Sequence, residues 1–498
     1  MLFNSVEFIF LFLPLTLLLF QLAGHRSRGF QLWFLIMASL CSYAFWSVNY
    51  VLILTANILV VSALGTLLLQ TRNRAARVAV LFCSLAFCFS FLFYYKYFNF
   101  FMTTLGLDHV FPNLDYSPRA LPIGISFYTF TSVAFILDLR SRAIDGFSVV
   151  EYGSTITYFP HLVAGPILFH HDTIPQLRSA PSRLTAQQIV LFLFFFSLGL
   201  FKKTCIADSL GRYSDVLYLA VANGGLPDTG QAWRAALTYS LQLYFDFSGY
   251  SDMAIGLSNL FGIRIPVNFY SPYRAVSIAD FWRRWHISLG WFLKTYLYIP
   301  LGGSRVTPLR GHFNLLVVMT ICGLWHGAGW TFILWGLLHG MALVIHRIHQ
   351  RLKKPSVCSN RCIGLLLTFL FVVVCWVLFR SDSLLTASRI IAAMFGFSTG
   401  SIPYLRAGNS EVLIAVSMVL VLFAPNTYQI MHPLNPALDL NRLEARGYTS
   451  HIVNKTVSGV LASPARTFAL GGMTALAFLT GLVAILANGY TQYLYFDF

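Results

Sequence analysis

A chain of 498 residues with 57% hydrophobic and only 10% charged side chains is not a soluble protein, since soluble domains carry about 25% charged residues. Its net charge of +16 usually suggests nucleic acid or an anionic surface. Here the basic residues sit in short loops between apolar runs, which favours an orientation signal for a membrane protein over a nucleic-acid binder.

Spanning helices need about 20 mostly apolar residues, and such runs recur at 7–24, 51–70, 78–95, 187–201, 361–379, 411–424 and 467–488. The expected fold class is all-α and polytopic. The first run, EFIFLFLPLTLLLFQLAG, has no basic n-region and no small-residue cleavage site, so it reads as a retained span and not as a signal peptide. Arg26 and Arg28 follow it, Arg72, Arg74 and Arg77 follow 51–70, and Arg140 and Arg142 follow 119–139, whereas the loop Ser47–Tyr50 is uncharged. The positive-inside rule then puts the N-terminus outside and the Arg loops in the cytoplasm, together with the run HRIHQRLKK at 346–354.

Two stretches, 119–130 (RALPIGISFYTF) and 159–167 (FPHLVAGPI), place Pro and Gly inside apolar runs. They read either as kinked helices or as re-entrant, cavity-lining backbone, which lipid tolerates only when protein buries it. In 242–253 (QLYFDFSGYSDM), Asp246 and Asp252 stand among aromatics. Asp246 reads as a supporting residue that could orient a histidine or anchor a helix break, and the pair could instead be half of a cation site.

Residues 280–300 (DFWRRWHISLGWFLKTYLYIP) combine Trp282, Trp285 and Trp291 with Arg283, Arg284 and Lys294. That composition predicts a helix lying at headgroup level, and leaves His286 without an account. Asn314 reads as a hydrogen-bonding strut. In 321–340 (ICGLWHGAGWTFILWGLLHG), His326 lies mid-segment among Gly323, Gly327 and Gly329. An ionisable group at membrane depth is expensive and marks function by default; the alternative is a histidine satisfied by a neighbouring carbonyl. His339, thirteen residues on, turns away from the His326 face and reads as structural or interfacial. Two histidines from separate elements in a water-poor cavity can supply a base and its orienting partner.

Six of the eight cysteines, Cys41, Cys83, Cys88, Cys205, Cys322 and Cys375, lie in apolar stretches as small hydrophobes. Cys358 and Cys362 lack the further ligands a metal site needs, so no metal is expected. There is no GxGxxG, Walker loop, HExxH or GxSxG, and no internal repeat of the kind transporters show.

Taken together, FPHLVAGP, GLFKKTCIAD, QLYFDFSGYSDMAIGL, FWRRWHIS, YIPLGG and GLWHGAGW resemble the membrane-bound O-acyltransferase family, in its bacterial branch typified by alginate O-acetyltransferase. The resemblance runs from the first residues to the last. It implies tilted helices around a tunnel, with the family's invariant histidine at His326 and its second polar position at His286. Residues 1–466 would form the acyltransferase core, and 467–498 a C-terminal span with a periplasmic aromatic tail. No cofactor is expected to be bound. Acetyl-coenzyme A would be the cytoplasmic donor substrate, with Arg283, Arg284 and Lys294 as candidates for holding its phosphates in competition with lipid. A periplasmic serine-esterase-like enzyme would place the acetyl groups on alginate, with peptidoglycan or another surface glycan as the alternative. The location implied is the bacterial inner membrane with both termini periplasmic. A small-anion transporter is the rival class.

The tail YTQYLYFDF, 490–498, reads in two ways. One is an aromatic belt at a span's end. The other comes from a further resemblance, to the one-span partner of the D-alanyl transfer system, and makes Tyr495 an acyl relay. A phenol of pKa about 10 is easier to deprotonate than a sugar hydroxyl.

Overall fold

Helices that face lipid and helices that fill the interior have different compositions in this chain. The computed structural model describes residues 1–117, 119–179, 183–352, 360–398, 400–402, 410–434, 436–438 and 464–494. Among them there is no strand, and six helices are long and apolar enough to cross a membrane. These are Val48–Gln70, Arg74–Thr104, Ala186–Ala222, Trp330–Arg351, Arg361–Arg380 and Thr467–Asn488, with shorter apolar helices at Phe8–Gly24, Leu384–Met394 and Ser410–Phe423. All seven apolar runs read from the sequence lie on these nine helices.

The interior is built from a more polar pair. The 32-residue helix Thr229–Leu260 is buried on every face from Thr238 onward, although it carries Gln242, Asp246, Ser248, Ser251, Asp252, Ser258 and Asn259. Asp228 starts it with a capping box, accepting from Gln231 N at 2.9 Å while the Gln231 side chain accepts from Asp228 N at 3.2 Å. It packs on Ala186–Phe201, Asp208–Ala222 and Arg361–Arg380. The second interior helix, Ile125–Ser141, is likewise buried almost all round.

Both interrupted stretches break outright and do not merely kink. Residues 119–124 are non-helical and lead to Gly124, whose φ of 75° is open to glycine and strained for other residues. The stretch 159–167 makes a single turn, Phe159–Leu162, and then continues as irregular, mostly buried backbone. The two breaks touch, because a Cβ on Gly124 would fall 2.3 Å from the Leu162 carbonyl oxygen. Irregular backbone enclosed by protein in this way needs no lipid-facing polar group.

The basic loops gather at one end of the bundle. Arg77 Nη2 donates to the Arg140 carbonyl at 3.1 Å, Arg28 donates to the Leu177 carbonyl, and Arg178 pairs with Glu151 at 2.6 Å. At the far end of Phe8–Gly24, the Asn4 amide donates to the Thr491 carbonyl at 3.1 Å, so the segments near the two ends of the sequence share a face.

Helices Pro308–His326 and Trp330–Arg351 form a tight hairpin through Gly323 and Gly336. A Cβ on Gly323 would lie 2.2 Å from the Phe332 carbonyl oxygen, and one on Gly336 2.3 Å from that of Met319. Small residues that let backbones meet are the usual glue between helices in lipid. Gly323→Ala should therefore cost about 1–3 kcal/mol through overpacking. Gly29→Ala, with nothing within 4 Å of the new methyl, should cost nothing measurable. Thermal unfolding of both variants in detergent checks the contrast, and equal stabilities would rule out the close approach.

Candidate active site

His326 does not sit mid-helix. It is the last residue of Pro308–His326, and the chain leaves the helix at Gly327, which is extended at φ −159° and ψ 146°. The segment 321–340 is thus two helices and not one, and a constant turn per residue does not relate His326 to His339. The two rings are nevertheless kept apart. Trp335 lies between them, 5.3 Å from His326 and 4.8 Å from His339 by ring centroids. His339 is fully buried and accepts from Trp282 Nε1 at 3.2 Å, a structural place and not an interfacial one. Trp325 and Phe379 complete the aromatic surround of His326 at 4.9 and 5.1 Å.

The stretch 280–300 differs more from expectation. Instead of one helix at headgroup depth, it forms Ile278–Trp282 and Ile287–Leu293, joined at His286. Trp285 is buried, Trp282 and Trp291 are half-buried, and Arg283 and Lys294 are exposed. His286 has φ 44° and ψ 55°, a left-handed conformation that costs a non-glycine residue about 1–2 kcal/mol. Non-glycine strain of this kind persists only where the surroundings over-determine it, and it concentrates at functional sites.

Asn268 supplies that determination. Its backbone carbonyl accepts from Ile287 N at 3.0 Å. Its side-chain Oδ1 accepts from Ser288 Oγ at 2.8 Å and Ser288 N at 3.3 Å, and lies 3.2 Å from His286 Nδ1. The Ser288 backbone N–H can only donate, so the atom facing it is the amide oxygen and the Nδ1 facing that oxygen carries a proton. Neutral His286 then has its lone pair on Nε2. The strained turn brings His286 to His326, with ring centroids 6.4 Å apart and planes inclined by 60°. Both rings are buried among Phe127, Phe247, Trp325, Trp335 and Phe379.

The other predicted residues fall elsewhere. Asn314 Nδ2 donates to the Leu301 carbonyl at 2.9 Å, a strut under the loop that precedes its helix. Twelve residues of helix, about 18 Å, separate it from His326. Asp246 orients neither histidine. It pairs with Lys203 at 2.7 Å and accepts from Leu494 N at 3.0 Å, while Lys203 also pairs with Asp208 at 2.8 Å and donates to the Gln492 carbonyl at 2.7 Å. Asp252 is taken by Lys202 at 2.5 Å and by Thr427 Oγ1 at 3.1 Å, so each carboxylate already has an ammonium partner.

Arg283 and Lys294 line a cavity of about 610 Å³ whose walls include Trp282, Ile287, Trp291 and Met319. Arg284 does not line it, because its guanidinium turns to Asp280 at 3.0 Å. Tyr495 lies outside the described residues. Up to Leu494 the tail is exposed from Tyr490 to Gln492 and turns onto the core at Tyr493 and Leu494. Tyr490 is exposed, but Tyr493 is buried, edge-on to Tyr250 at 4.9 Å with Lys203 Nζ 4.8 Å from its ring centroid.

Asn268 and Lys203 escape a search for apolar runs and histidines. Lys203 had a signal in the double lysine of GLFKKTCIAD, a charge inside an apolar run; Asn268 had none beyond its type. Removing the Asn268 oxygen strands up to three buried donors at about 1–3 kcal/mol each. Asn268→Leu should lower the melting temperature in detergent well below that of Asn268→Asp, which keeps an oxygen acceptor. Equal melting points would remove Asn268 from its role.

A family model described as MBOAT, membrane-bound O-acyltransferase family, matches residues 31–387. The peptidoglycan O-acetyltransferase of Helicobacter pylori is 36% identical over all of this chain and 98% of its own length. The protein named probable alginate O-acetylase in Pseudomonas aeruginosa is 39% identical over 84% of this chain and 80% of its own. Its namesake in Azotobacter vinelandii is 36% identical over the whole of both chains. The chain belongs to the membrane-bound O-acyltransferase family.

Proposed function

We propose that this O-acyltransferase moves acetyl groups from cytoplasmic acetyl-coenzyme A across the bacterial inner membrane for O-acetylation of a cell-surface polysaccharide. The observation that carries the reading is the buried pair of imidazoles 6.4 Å apart, one on a strained turn and one on a helix terminus. O-Acetylation of a surface polysaccharide is the activity common to the relatives' names. Those names divide between peptidoglycan and alginate, and alginate remains the first choice of polymer. Family membership supports the enzyme over the transporter.

In this reading the donor enters at the basic end, and Arg283 and Lys294 hold its phosphates at the mouth of the 610 Å³ cavity. His326 takes the proton of the acceptor hydroxyl as its oxygen attacks the thioester carbonyl, giving a tetrahedral intermediate. Collapse breaks the carbon–sulfur bond, and the imidazolium returns the proton to the departing thiolate. His286, its Nδ1–H held by Asn268, offers a lone pair. It therefore acts as an orienting acceptor in this scheme and not as a donor to the carbonyl. The aromatic surround keeps water from hydrolysing the thioester.

The acceptor on this chain is the Tyr495 phenol, which carries acetyl to a periplasmic serine-type partner enzyme. The support is the clamp on the residues just before it, Asn4 on Thr491, Lys203 on Gln492 and Asp246 on Leu494, which holds the described part of the tail against the core. Residues 467–498 act as a carrier span docked on the core 1–466. The sharing of one face by Asn4 and Thr491, opposite the Arg loops, supports periplasmic placement of both ends.

His326→Ala should lower acetyl transfer by about 10²–10⁴-fold while leaving a monodisperse, folded protein, and His286→Ala somewhat less. Release of coenzyme A thiol by purified protein in detergent measures both. A His326→Ala variant with near-native turnover would sink the mechanism. Tyr495→Phe should abolish polysaccharide acetylation in cells, and full acetylation in that strain would reject the relay. Cysteines introduced in 71–77 or 346–355 should react with a membrane-impermeant maleimide only after lysis. Labelling in intact cells would invert the topology and the side from which donor enters.

A further inference from the structure

The last four carbonyls of any helix have no partner within it, and the terminal turn frays unless something caps it. His326 occupies such a turn, because the chain departs at Gly327. Gly327 N reaches back only weakly to the Gly323 carbonyl, at 3.4 Å. The next three carbonyls are all met by side chains from one distant segment. Tyr97 Oη donates to Leu324 O at 3.1 Å, and Lys96 Nζ donates to Trp325 O at 2.7 Å and to His326 O at 3.0 Å.

Lys96 and Tyr97 belong to a π-helical turn, Phe93–Tyr97, inside the long helix Arg74–Thr104. Such turns are rare and frequently mark functional sites. The Lys96 ammonium also lies 3.4 Å from Ser126 Oγ and 6.0 Å from the Trp325 ring centroid. Among the described residues no carboxylate pairs with it, although every other lysine buried at depth, Lys202 and Lys203, has one. A cation held at membrane depth by carbonyls and a hydroxyl, without a carboxylate, is an expensive way to fill space, but it is the group a helix C-terminus attracts.

We infer that Lys96, with Tyr97, is a positioning residue for acyl transfer: it caps the helix that ends in His326 and thereby fixes the imidazole against His286 and the reacting carbonyl. The inference rests on His326 being the base. Misplacing a reacting group by about 1 Å can cost about 10²-fold in rate, and an uncapped terminal turn is the part of a helix that frays.

Single-turnover thiol release from acetyl-coenzyme A in detergent, with its limiting rate (kcat below) and half-saturating donor concentration (KM below) measured separately, tests the inference on four full-length variants. Lys96→Met, of similar length but without donors, should lose about ten- to hundredfold in kcat with KM for acetyl-coenzyme A within about twofold of wild type. Lys96→Arg, which keeps a cation and several donors, should recover much of that loss. Tyr97→Phe, losing one donor, should show a smaller fall in kcat alone, and it decides the matter if Lys96→Met does not fold. Native kcat in Lys96→Met or in Tyr97→Phe overturns the inference. So does a Lys96→Arg variant no better than Lys96→Met, or a kcat loss matched by an equal rise in KM. His326→Ala assayed alongside separates the two failures: activity in that variant overturns the base itself, whereas its inactivity beside an active Lys96→Met removes only the positioning role.

Discussion

A backbone carbonyl or N–H inside the hydrocarbon of a bilayer has no water to turn to, and leaving one unpaired costs several kcal/mol. The candidate site uses irregular backbone, with one imidazole on a left-handed turn and the other at a helix terminus. Three of the breaks among the described residues have a side chain as local partner. Asn268 serves the turn at His286, Ser288 Oγ accepts from Ile167 N at 3.0 Å in the broken stretch 159–167, and Lys96 and Tyr97 serve the end at His326. The polar side chains of the interior are the cost of that irregularity.

The same constraint accounts for the paired lysines. Lys202 and Lys203 begin a π-helical turn, Lys202–Ala207, and each points at a carboxylate of the central helix, Asp252 and Asp246. Replacing a buried ion pair by apolar packing is often neutral or stabilising, so stability is a weak reason for keeping two. Specificity is a better one. Asp246 and Lys203 between them hold two backbone groups of the tail, Leu494 N and Gln492 O, and so fix where the chain goes next. An apolar pair would bind the tail without setting its register.

What the sequence revealed follows from what hydropathy measures. It found the runs that face lipid, because lipid selects for apolarity. It passed over Thr229–Leu260 and Ile125–Ser141, which pack against protein on all sides and can be polar. His326 stood out as an ionisable residue amid apolar neighbours. The same rule applied to Lys96, one residue past the run 78–95, points to a second such group. The tryptophans and cations of 280–300 suggested a surface helix because composition does not report a left-handed turn, and it is that turn that draws Trp285 and His286 inward. Asn268 carried no signal at all, since an asparagine between apolar segments is ordinary in a loop.

The bond from the Asn4 amide to the Thr491 carbonyl joins residues 487 apart in the sequence. At ~5–20 residues per second of synthesis, the first of these waits on the order of tens of seconds for the second. During that interval Lys203, Asp208 and Asp246 have been made but the tail they grip has not. The clamp therefore closes last, after every helix that surrounds the histidines is in the membrane. A ribosome that stalls before the terminal helix leaves a bundle that holds both imidazoles but whose Lys203 and Asp246 lack the Gln492 carbonyl and the Leu494 N–H as partners. In such a truncated chain the Lys203–Asp246 pair would be open to water where Tyr493 covers it in the finished one, so the last segment made is also the one that seals the pair.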